Sequence, residues 1–435
     1  MLARAVRARL AVLQAPAFRR LLAGRAVSQF GDGLYAVAAM WLAYSLTDSS
    51  AVAGVAGFLV GIPGVCRVLV GPVVDDRPLG RVLVASELAQ AAFVLVVPLW
   101  FWLVGESVAV VLATMFLAAL AGQFAAPAQS ATVPRVVDDD DLVRANSLSS
   151  VVGQATDAGS RLVAGALVAA TSAVALYVAN VVTFLVAAIG FLGLTIPGDD
   201  EDDDGAVDAA DGDRRAEATG RDGRVGEYVA DVRAGVDVVA GSALAPLLGA
   251  SLFANFLFGT AAAVLPAYAD GLSDATAYGT LLAVLSAGRV LGSVAAPAFE
   301  DRSFASSSVL GFAAAGVAWV GGVAASGLLA TAALFGASRI PVGVYNVNVK
   351  AVLQTGVPND HLGRATATIG TASAVVAPFG MLAGGALGDA VSPTFVLYAS
   401  GVGFALTAAY WLASPTLRRF GAPTSVEDGA FALAE

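Results

Sequence analysis

The chain has 435 residues, 57% of them hydrophobic and 13% charged, with a net charge of −10. A soluble domain carries roughly 25% charged residues, so the composition excludes a soluble enzyme and a one-span receptor and indicates a multi-span membrane protein. One cysteine, Cys66, and one histidine, His361, exclude an intramolecular disulfide framework and Cys- or His-based zinc chemistry.

Residues Met1 to Arg20 form a basic lead-in, in which Arg4, Arg7, Arg9, Arg19 and Arg20 favour the cytoplasmic side. It has no short apolar core followed by a small-residue cleavage site, so no cleavable signal peptide is expected. Span 1 is expected at about 21–46. It carries Arg25, Gln29 and Asp32 at i, i+4 and i+7, on one helical face. A charged side chain at the centre of a membrane helix costs at least about 2.5–3.5 kcal/mol. This face is therefore expected to look into a water-filled or partnered interior. Asp32 lies roughly 16 Å along the axis of that span. Burial favours a protonated acid and a nearby cation favours an ionised one, so a conformational change can switch its state. The alternative is a structural acid in a helix broken by Gly31 and Gly33.

Span 2 is expected at about 50–72, followed by a tight loop with Asp76, Arg77 and Arg81. Span 3, about 82–104, ends in Trp100-Phe101-Trp102, which suits an interfacial aromatic anchor. Glu87 lies near its start and is expected to pair with the preceding loop. Span 4, about 107–133, contains Gln123. The acidic loop Asp138 to Asp141 leads into span 5, about 142–170. There Asn146, Ser150, Gly153, Asp157 and Arg161 share one face, and Asp157 and Arg161 are spaced to pair. Such a pair is either a charge switch in a cavity wall or a neutralised structural pair. Span 6 follows at about 173–195.

From Gly198 to about Gly223 the chain is dominated by Asp and reads as a disordered linker. Val225, Tyr228, Val229, Val232, Val236 and Val239 then recur at helical spacing, as in an amphipathic helix on the membrane surface. Acidic, lysine-poor segments suit either a halophilic source or a plain acidic linker. Six further spans are expected at about 243–269, 276–299, 305–326, 328–354, 362–388 and 392–413. Asn255 lies in span 7. Arg289 in span 8 and Arg339 in span 10 sit deep in apolar runs and need a partner from another helix or an anionic ligand. Asn346 and Lys350 share a face with Arg339. The domain reading is a six-helix bundle at 1–196, a linker with its surface helix at 197–241, a second bundle at 242–414 and a cytoplasmic tail at 415–435.

With twelve spans and an internal N-terminus, the expected outer loops hold no Arg or Lys, whereas the inner ones hold Arg77, Arg81, Arg135, Arg302 and Arg364. The positive-inside rule therefore places both termini in the cytoplasm. The two halves also echo each other. Asp140, Leu142, Arg144, Ala145, Gly165, Ala166 and Leu167 match Asp360, Leu362, Arg364, Ala365, Gly385, Ala386 and Leu387 at a constant offset of 220. Arg67-Val68-Leu69 before Asp76-Arg77 similarly resembles Arg289-Val290-Leu291 before Asp301-Arg302. This is a parallel repeat of six helices, an arrangement that places a substrate site between the halves near the bilayer midplane.

Four stretches carry a family resemblance: Phe18 to Asp32, Asp76 to Arg81, Pro127 to Pro134 followed by Leu142 to Asn146, and Val357 to Arg364. The chain resembles the major facilitator superfamily, and within it the macrolide-efflux and enterobactin-exporter branch of drug:proton antiporters. Two departures stand out. Gly71-Pro72 reaches Asp76 about three residues early compared with the family's signature loop. Arg161 stands where a helix 5 Gly-Pro motif would place its proline.

The resemblance implies an all-α membrane protein with twelve transmembrane helices in two pseudo-symmetric six-helix bundles. It also implies proton-coupled efflux of small hydrophobic or amphipathic compounds by rocker-switch alternating access. Asp32 and Asp157 are the expected proton-coupling acids, with Arg25, Arg161, Arg289 and Arg339 as a charge network. Gln29, Gln123, Asn255 and Asn346 are the expected substrate contacts. Asp76, Arg77, Arg81, Asp301 and Arg302 are the expected gating loops. Phe30, Phe124, Phe253, Phe256 and Tyr345 offer aromatic surface. The expected partners are a small molecule, protons or Na⁺, and the plasma-membrane bilayer, for a monomer with no nucleic acid, metal or cofactor. Four arginines inside spans keep open an anionic solute such as a siderophore or organic acid, and a transport-inactive receptor of the same fold is a third reading. A nucleotide-binding Gly-Lys-Ser/Thr loop is lacking, so ATP drive is not expected; without a Cys/His metal cluster or a Ser-His arrangement, an enzyme is not expected either.

Overall fold

The computed structural model describes residues 11–64, 70, 74, 77–197, 242, 244–357 and 359–425. The expected acidic linker and surface helix, together with Cys66, Arg67 and Asp76, lie outside them. All regular secondary structure among the described residues is helical.

Helix α1 (Pro16–Ser45) begins with Pro16, where a missing N–H leaves no intrahelical bond unmade. It continues unbroken through Gly31 and Gly33. Helices α2 (Ser50–Gly61), α3 (Leu79–Leu103), α4 (Val108–Gly122), α5 (Ala125–Val136), α6 (Leu142–Ala170) and α7 (Ala173–Leu192) follow. The later half contributes α8 (Leu244–Leu272), α9 (Ala275–Ala295), α10 (Phe304–Ala324), α11 (Leu328–Gly356), α12 (Asn359–Ala390) and α13 (Pro393–Ala413). The fourth expected span is divided at Gln123 and Phe124 into α4 and α5, and the second is helical over Ser50–Gly61 with most of its remainder outside the described residues, so among these residues helix occupies part or all of each of the twelve expected span positions.

Eight stretches among the described residues are long and apolar enough to cross a membrane. Helices α1, α6 and α12 have sufficient length, at 30, 29 and 32 residues, but carry polar faces that dilute their hydropathy. Pro98, Pro266, Pro341 and Pro378 lie inside helices, as membrane helices tolerate when neighbours satisfy the freed backbone. The architecture is that of an all-α, multi-pass membrane protein.

The chain forms two compact units. One comprises Met1–Thr47 and Ile62–Ala218, the other Asp48–Gly61 and Thr219–Glu435. In the first, α1 packs against α6 and α7, and α3 packs against α4 and α7. The approach is close because glycines remove side chains at the contacts. A Cβ on Gly31 would collide with Thr183 Oγ1 and Asn180 Oδ1, and one on Gly33 would collide with Ser160 Oγ. Lipid tails are as apolar as a protein core, so association depends on this kind of intimate packing.

In the second unit, α9 packs on α11, α8 on α12, and α10 on α11 and α13. Helix α2 packs here as well, along α12. Gly288 and Gly292 bring α9 onto the backbone of α11 at Gly336 and Ile340. Gly54 and Gly385 do the same for α2 and α12, against Met381 O and Ser50 O. Trp319 stacks on Phe335 with ring centroids 4.3 Å apart, and its indole N–H donates to Leu397 O at 2.9 Å.

The repeat is legible at the helix ends. Helices α6 and α12 stop at Ala170 and Ala390, 220 residues apart. Ser172 and Ser392 then cap the next helices, accepting from the Ala175 and Phe395 N–H groups, each at 3.1 Å.

Candidate functional site

In the first unit, α1 presents Ser28, Asp32 and Tyr35 on one face. Helix α3 brings Glu87 to this face. Its carboxylate is 1% exposed, and Ser28 Oγ stands 3.0 Å from Oε1 and 2.9 Å from Oε2. Helix α3 starts at Leu79 and carries Glu87 two turns inside the packed unit; most of the preceding loop, the expected partner of Glu87, lies outside the described residues.

Helix α7 contributes Tyr177 and Asn180, both fully buried. Asn180 lies within reach of Asp32, and Asp32 also interacts electrostatically with Tyr35 and Glu87. Asn180 Oδ1 accepts from Thr183 Oγ1 at 3.0 Å. The Tyr35 and Tyr177 rings meet edge-on at 4.9 Å. Tyr35 OH, Tyr177 OH and Asn180 Nδ2 are buried without a hydrogen-bond partner. Two carboxylates are thus gathered with hydroxyl and amide groups, and among the described residues neither forms an ion pair. Such a cluster can bind and release a proton or a small cation.

Helix α6 carries the second group of the first unit. Arg161 Nε and Nη2 lie 3.0 and 2.9 Å from Asp157 Oδ1. The two side chains are 38% and 28% exposed, so the pair is only partly screened from its surroundings. Gln29 Nε2 donates to Gly153 O at 3.2 Å, tying α1 to α6, while its Oε1 is buried without a partner. Arg25 is half-buried. Gln123 is buried and donates back to Ala119 O.

In the second unit, Arg339 is 7% exposed and its guanidinium lies 4.9 Å from the centroid of the Phe258 ring. Arg289 is its electrostatic neighbour across the tight α9–α11 contact. Asn255 donates to Ser251 O at 2.8 Å within its own helix. Asn346 and Lys350 are exposed, unlike Arg339 on the same helix. The buried amide of this region is instead Asn348, 2% exposed. Arg77, Arg81, Asp301 and Arg302 are exposed. Among the described residues no three or more His, Cys, Asp or Glu side chains gather as a metal site.

Sequence reading missed Asp389, at the end of α12. Its Oδ1 accepts from Ser50 N–H at 2.7 Å, and its Oδ2 from Ala51 N–H at 3.2 Å and Ser49 Oγ at 2.5 Å. The carboxylate thereby caps the N-terminus of α2. An acid at the end of an apolar run was the one available signal. Asn180 was missed too, since a lone Asn in span 6 has no helical pattern to mark it.

The sequence profile of the Major Facilitator Superfamily matches residues 21–302. No curated protein sequence matches the chain. Among solved structures, it is similar to a bacterial homologue of the iron transporter ferroportin in an inward-facing state, at 15% identity and a TM-score of 0.67, covering 91% of this chain and 98% of that one. It is also similar to a peptide transporter, POT, in complex with sulfate (14% identity, TM-score 0.64, 93% and 96% covered). A nucleoside transporter, NupG, matches at 15% identity and a TM-score of 0.60, with 91% and 99% covered.

Proposed function

Because the chain belongs to the major facilitator superfamily, we propose that it is a secondary transporter that couples proton entry to export of small hydrophobic or amphipathic compounds. The mechanism is alternating access, with the Asp32–Glu87 cluster as the coupling site and the Asp157–Arg161 pair in the charge network. The carrier works as a monomer in the plasma membrane with both termini cytoplasmic.

The observation that carries this reading is the pair of acids in one buried cluster. Glu87 is held by a hydroxyl, and Asp32 lies beside an amide and a phenol. A carboxylate taken out of water without a cation is costly. Such a group is best used by binding a proton or cation in one state and releasing it in another.

A second reading rests on Arg339. Among the described residues this buried cation has an aromatic ring and no carboxylate for company. Four arginines inside expected spans then favour an anionic solute, such as a siderophore or organic acid.

Proteoliposomes with an internal pH dye and an imposed pH or Na⁺ gradient test both readings. Lipophilic cations, neutral macrolide-like compounds and organic anions are supplied in turn to wild type and to Asp32→Asn. Proton movement triggered by a cationic or neutral compound, and lost in Asp32→Asn, is the expected result. Movement with organic anions alone establishes the second reading. Flux unchanged in Asp32→Asn removes Asp32 from the coupling site, and flux that follows only the Na⁺ gradient replaces the proton. A folded protein that moves none of these compounds returns weight to the receptor reading.

A further inference from the structure

A cavity of about 300 Å³ lies wholly within the second unit, between α10 and α11. This is at the lower end of the range of roughly 300–1,000 Å³ typical of small-molecule sites. At its wall Gly311 on α10 lets α11 approach closely, since a Cβ there would come within 3.2 Å of Pro341 Cβ. The floor is aromatic, with Phe312 against Tyr345 at 4.9 Å and Phe304 stacked on Tyr345 at 5.6 Å. Ile340 and Val344 complete an apolar wall.

Arg302, Ser306, Ser307, Ser308, Tyr345 and Asn348 supply its polar lining, and two of these polar side chains are deeply buried without a partner. Ser308 is 3% exposed and Asn348 is 2% exposed. Ser308 Oγ and Asn348 Nδ2 have no hydrogen-bond partner. A buried serine on a helix commonly turns its hydroxyl to the carbonyl one turn back, yet Ser308 does not. An unmade buried hydrogen bond costs free energy comparable to the group's desolvation. Ser308 and Asn348 are both lining residues, and a small shift of either side chain would turn a donor into the cavity.

The rim supplies a third donor. Arg302 is exposed at the loop before α10, and its guanidinium stands 5.2 Å from the Phe299 ring centroid. Two acids precede it. Asp301 Oδ1 accepts from Thr424 Oγ1 at 3.1 Å, and neither Asp301 nor Glu300 lines the cavity. On its other side the rim carries Leu310, which is 70% exposed and so faces lipid in a membrane-spanning helix. The space therefore has a cationic end at a membrane surface, buried donors below it and an apolar wall that continues into the bilayer.

We propose that this cavity binds an anionic phospholipid. Its phosphate sits at Arg302, an ester or glycerol oxygen takes the Ser308 hydroxyl and the Asn348 amide, and the upper part of one acyl chain lies on Ile340, Val344 and Leu310. The site is separate from the Asp32–Glu87 cluster and does not depend on the proposed transport activity.

The test is native mass spectrometry of the full chain, released from nanodiscs containing equal parts of phosphatidylglycerol and phosphatidylcholine. Wild type is expected to retain one phosphatidylglycerol in preference to phosphatidylcholine. Arg302→Gln, a surface change that removes the charge and its contact with the Phe299 ring, is expected to weaken retention about fivefold, the effect of one basic residue near an anionic surface. Ser308→Ala with Asn348→Leu is expected to lower it further, with thermal unfolding confirming that this variant is folded. Inorganic phosphate added alone is expected not to displace the lipid, because it lacks the acyl chain. Equal retention of the two lipids overturns the proposal, as does retention unchanged in all variants or displacement by phosphate alone.

Discussion

Ser28 on α1 places its hydroxyl 3.0 and 2.9 Å from the two carboxylate oxygens of Glu87 on α3. A single hydroxyl can satisfy one oxygen at a time, so the acid keeps capacity for a proton or cation. This contact ties the helix that carries Asp32 to a second acid buried beside it. It also separates two kinds of substitution. Glu87→Gln preserves the shape and an acceptor for Ser28, and is expected to leave thermal unfolding in detergent nearly unchanged while reducing proton movement in proteoliposomes to the protein-free level. Glu87→Ala strands the hydroxyl in a cavity and is expected to destabilise by roughly 1–3 kcal/mol. Full coupling in Glu87→Gln would remove this acid from the mechanism.

Gly31 controls how closely α1 approaches α7. A Cβ there meets Thr183 Oγ1 and Asn180 Oδ1, so Gly31→Ala must push back the side chains beside Asp32. Overpacking of this kind costs about 1–3 kcal/mol. The substitution is expected to lower the unfolding midpoint and to impair proton coupling together. Gly159→Ala, which meets no atom within 4 Å, is the comparison and should leave both unchanged.

The cap supplied by Asp389 predicts a local effect. Asp389→Ala leaves the first amides of α2 without their carboxylate. A lost cap costs on the order of 1 kcal/mol, so hydrogen exchange at Ser50 and Ala51 is expected to accelerate about fivefold. Exchange within α10 should stay at its wild-type rate. Unchanged exchange at Ser50 would show that other contacts hold this end of α2.

The Asp157–Arg161 pair should contribute little to stability. Both side chains are about a third exposed, and i,i+4 pairs at exposed sites are worth about 0.3–0.5 kcal/mol. A double-mutant cycle with Asp157→Asn and Arg161→Gln, read by denaturant unfolding, is expected to give a coupling of that size or smaller. A coupling of several kcal/mol would identify the pair as a structural clamp.

Asp274 gives a pH-dependent end to α9. Hydrogen bonds from the Thr276 side chain, then from its backbone N–H, hold the Asp274 carboxyl below its usual value of 3.8. A depressed folded value means that the stabilisation is present above the unfolded value and is lost as pH falls through the folded one. Amide protection at Thr276 is therefore expected to persist at pH 5 and to fall below about pH 3.8. Asp274→Asn should abolish that pH dependence.

Much of this molecule was legible from local periodicity. Composition established a multi-span helical protein, because so few charges leave no other way to solvate this much apolar surface. Apolar runs located a helix at each of the twelve expected span positions among the described residues, since length and hydropathy are properties of each segment alone. The Asp157–Arg161 geometry followed from spacing, because four residues bring side chains together on any helix. The 220-residue offset reappears in the ends of α6 and α12 and in the Ser172 and Ser392 caps, which short-range hydrogen bonds define.

Tertiary structure decided the rest. That Glu87 and Asn180 join Asp32, that α2 packs along α12 under the Asp389 cap, and that Asn348 is buried where Asn346 is exposed all depend on how helices are rotated and staggered against one another. Spacing along one helix relates residues on that helix only. The glycines that set the approach of two helices act through neighbours distant in the chain, and a sequence carries no direct record of which neighbours those are.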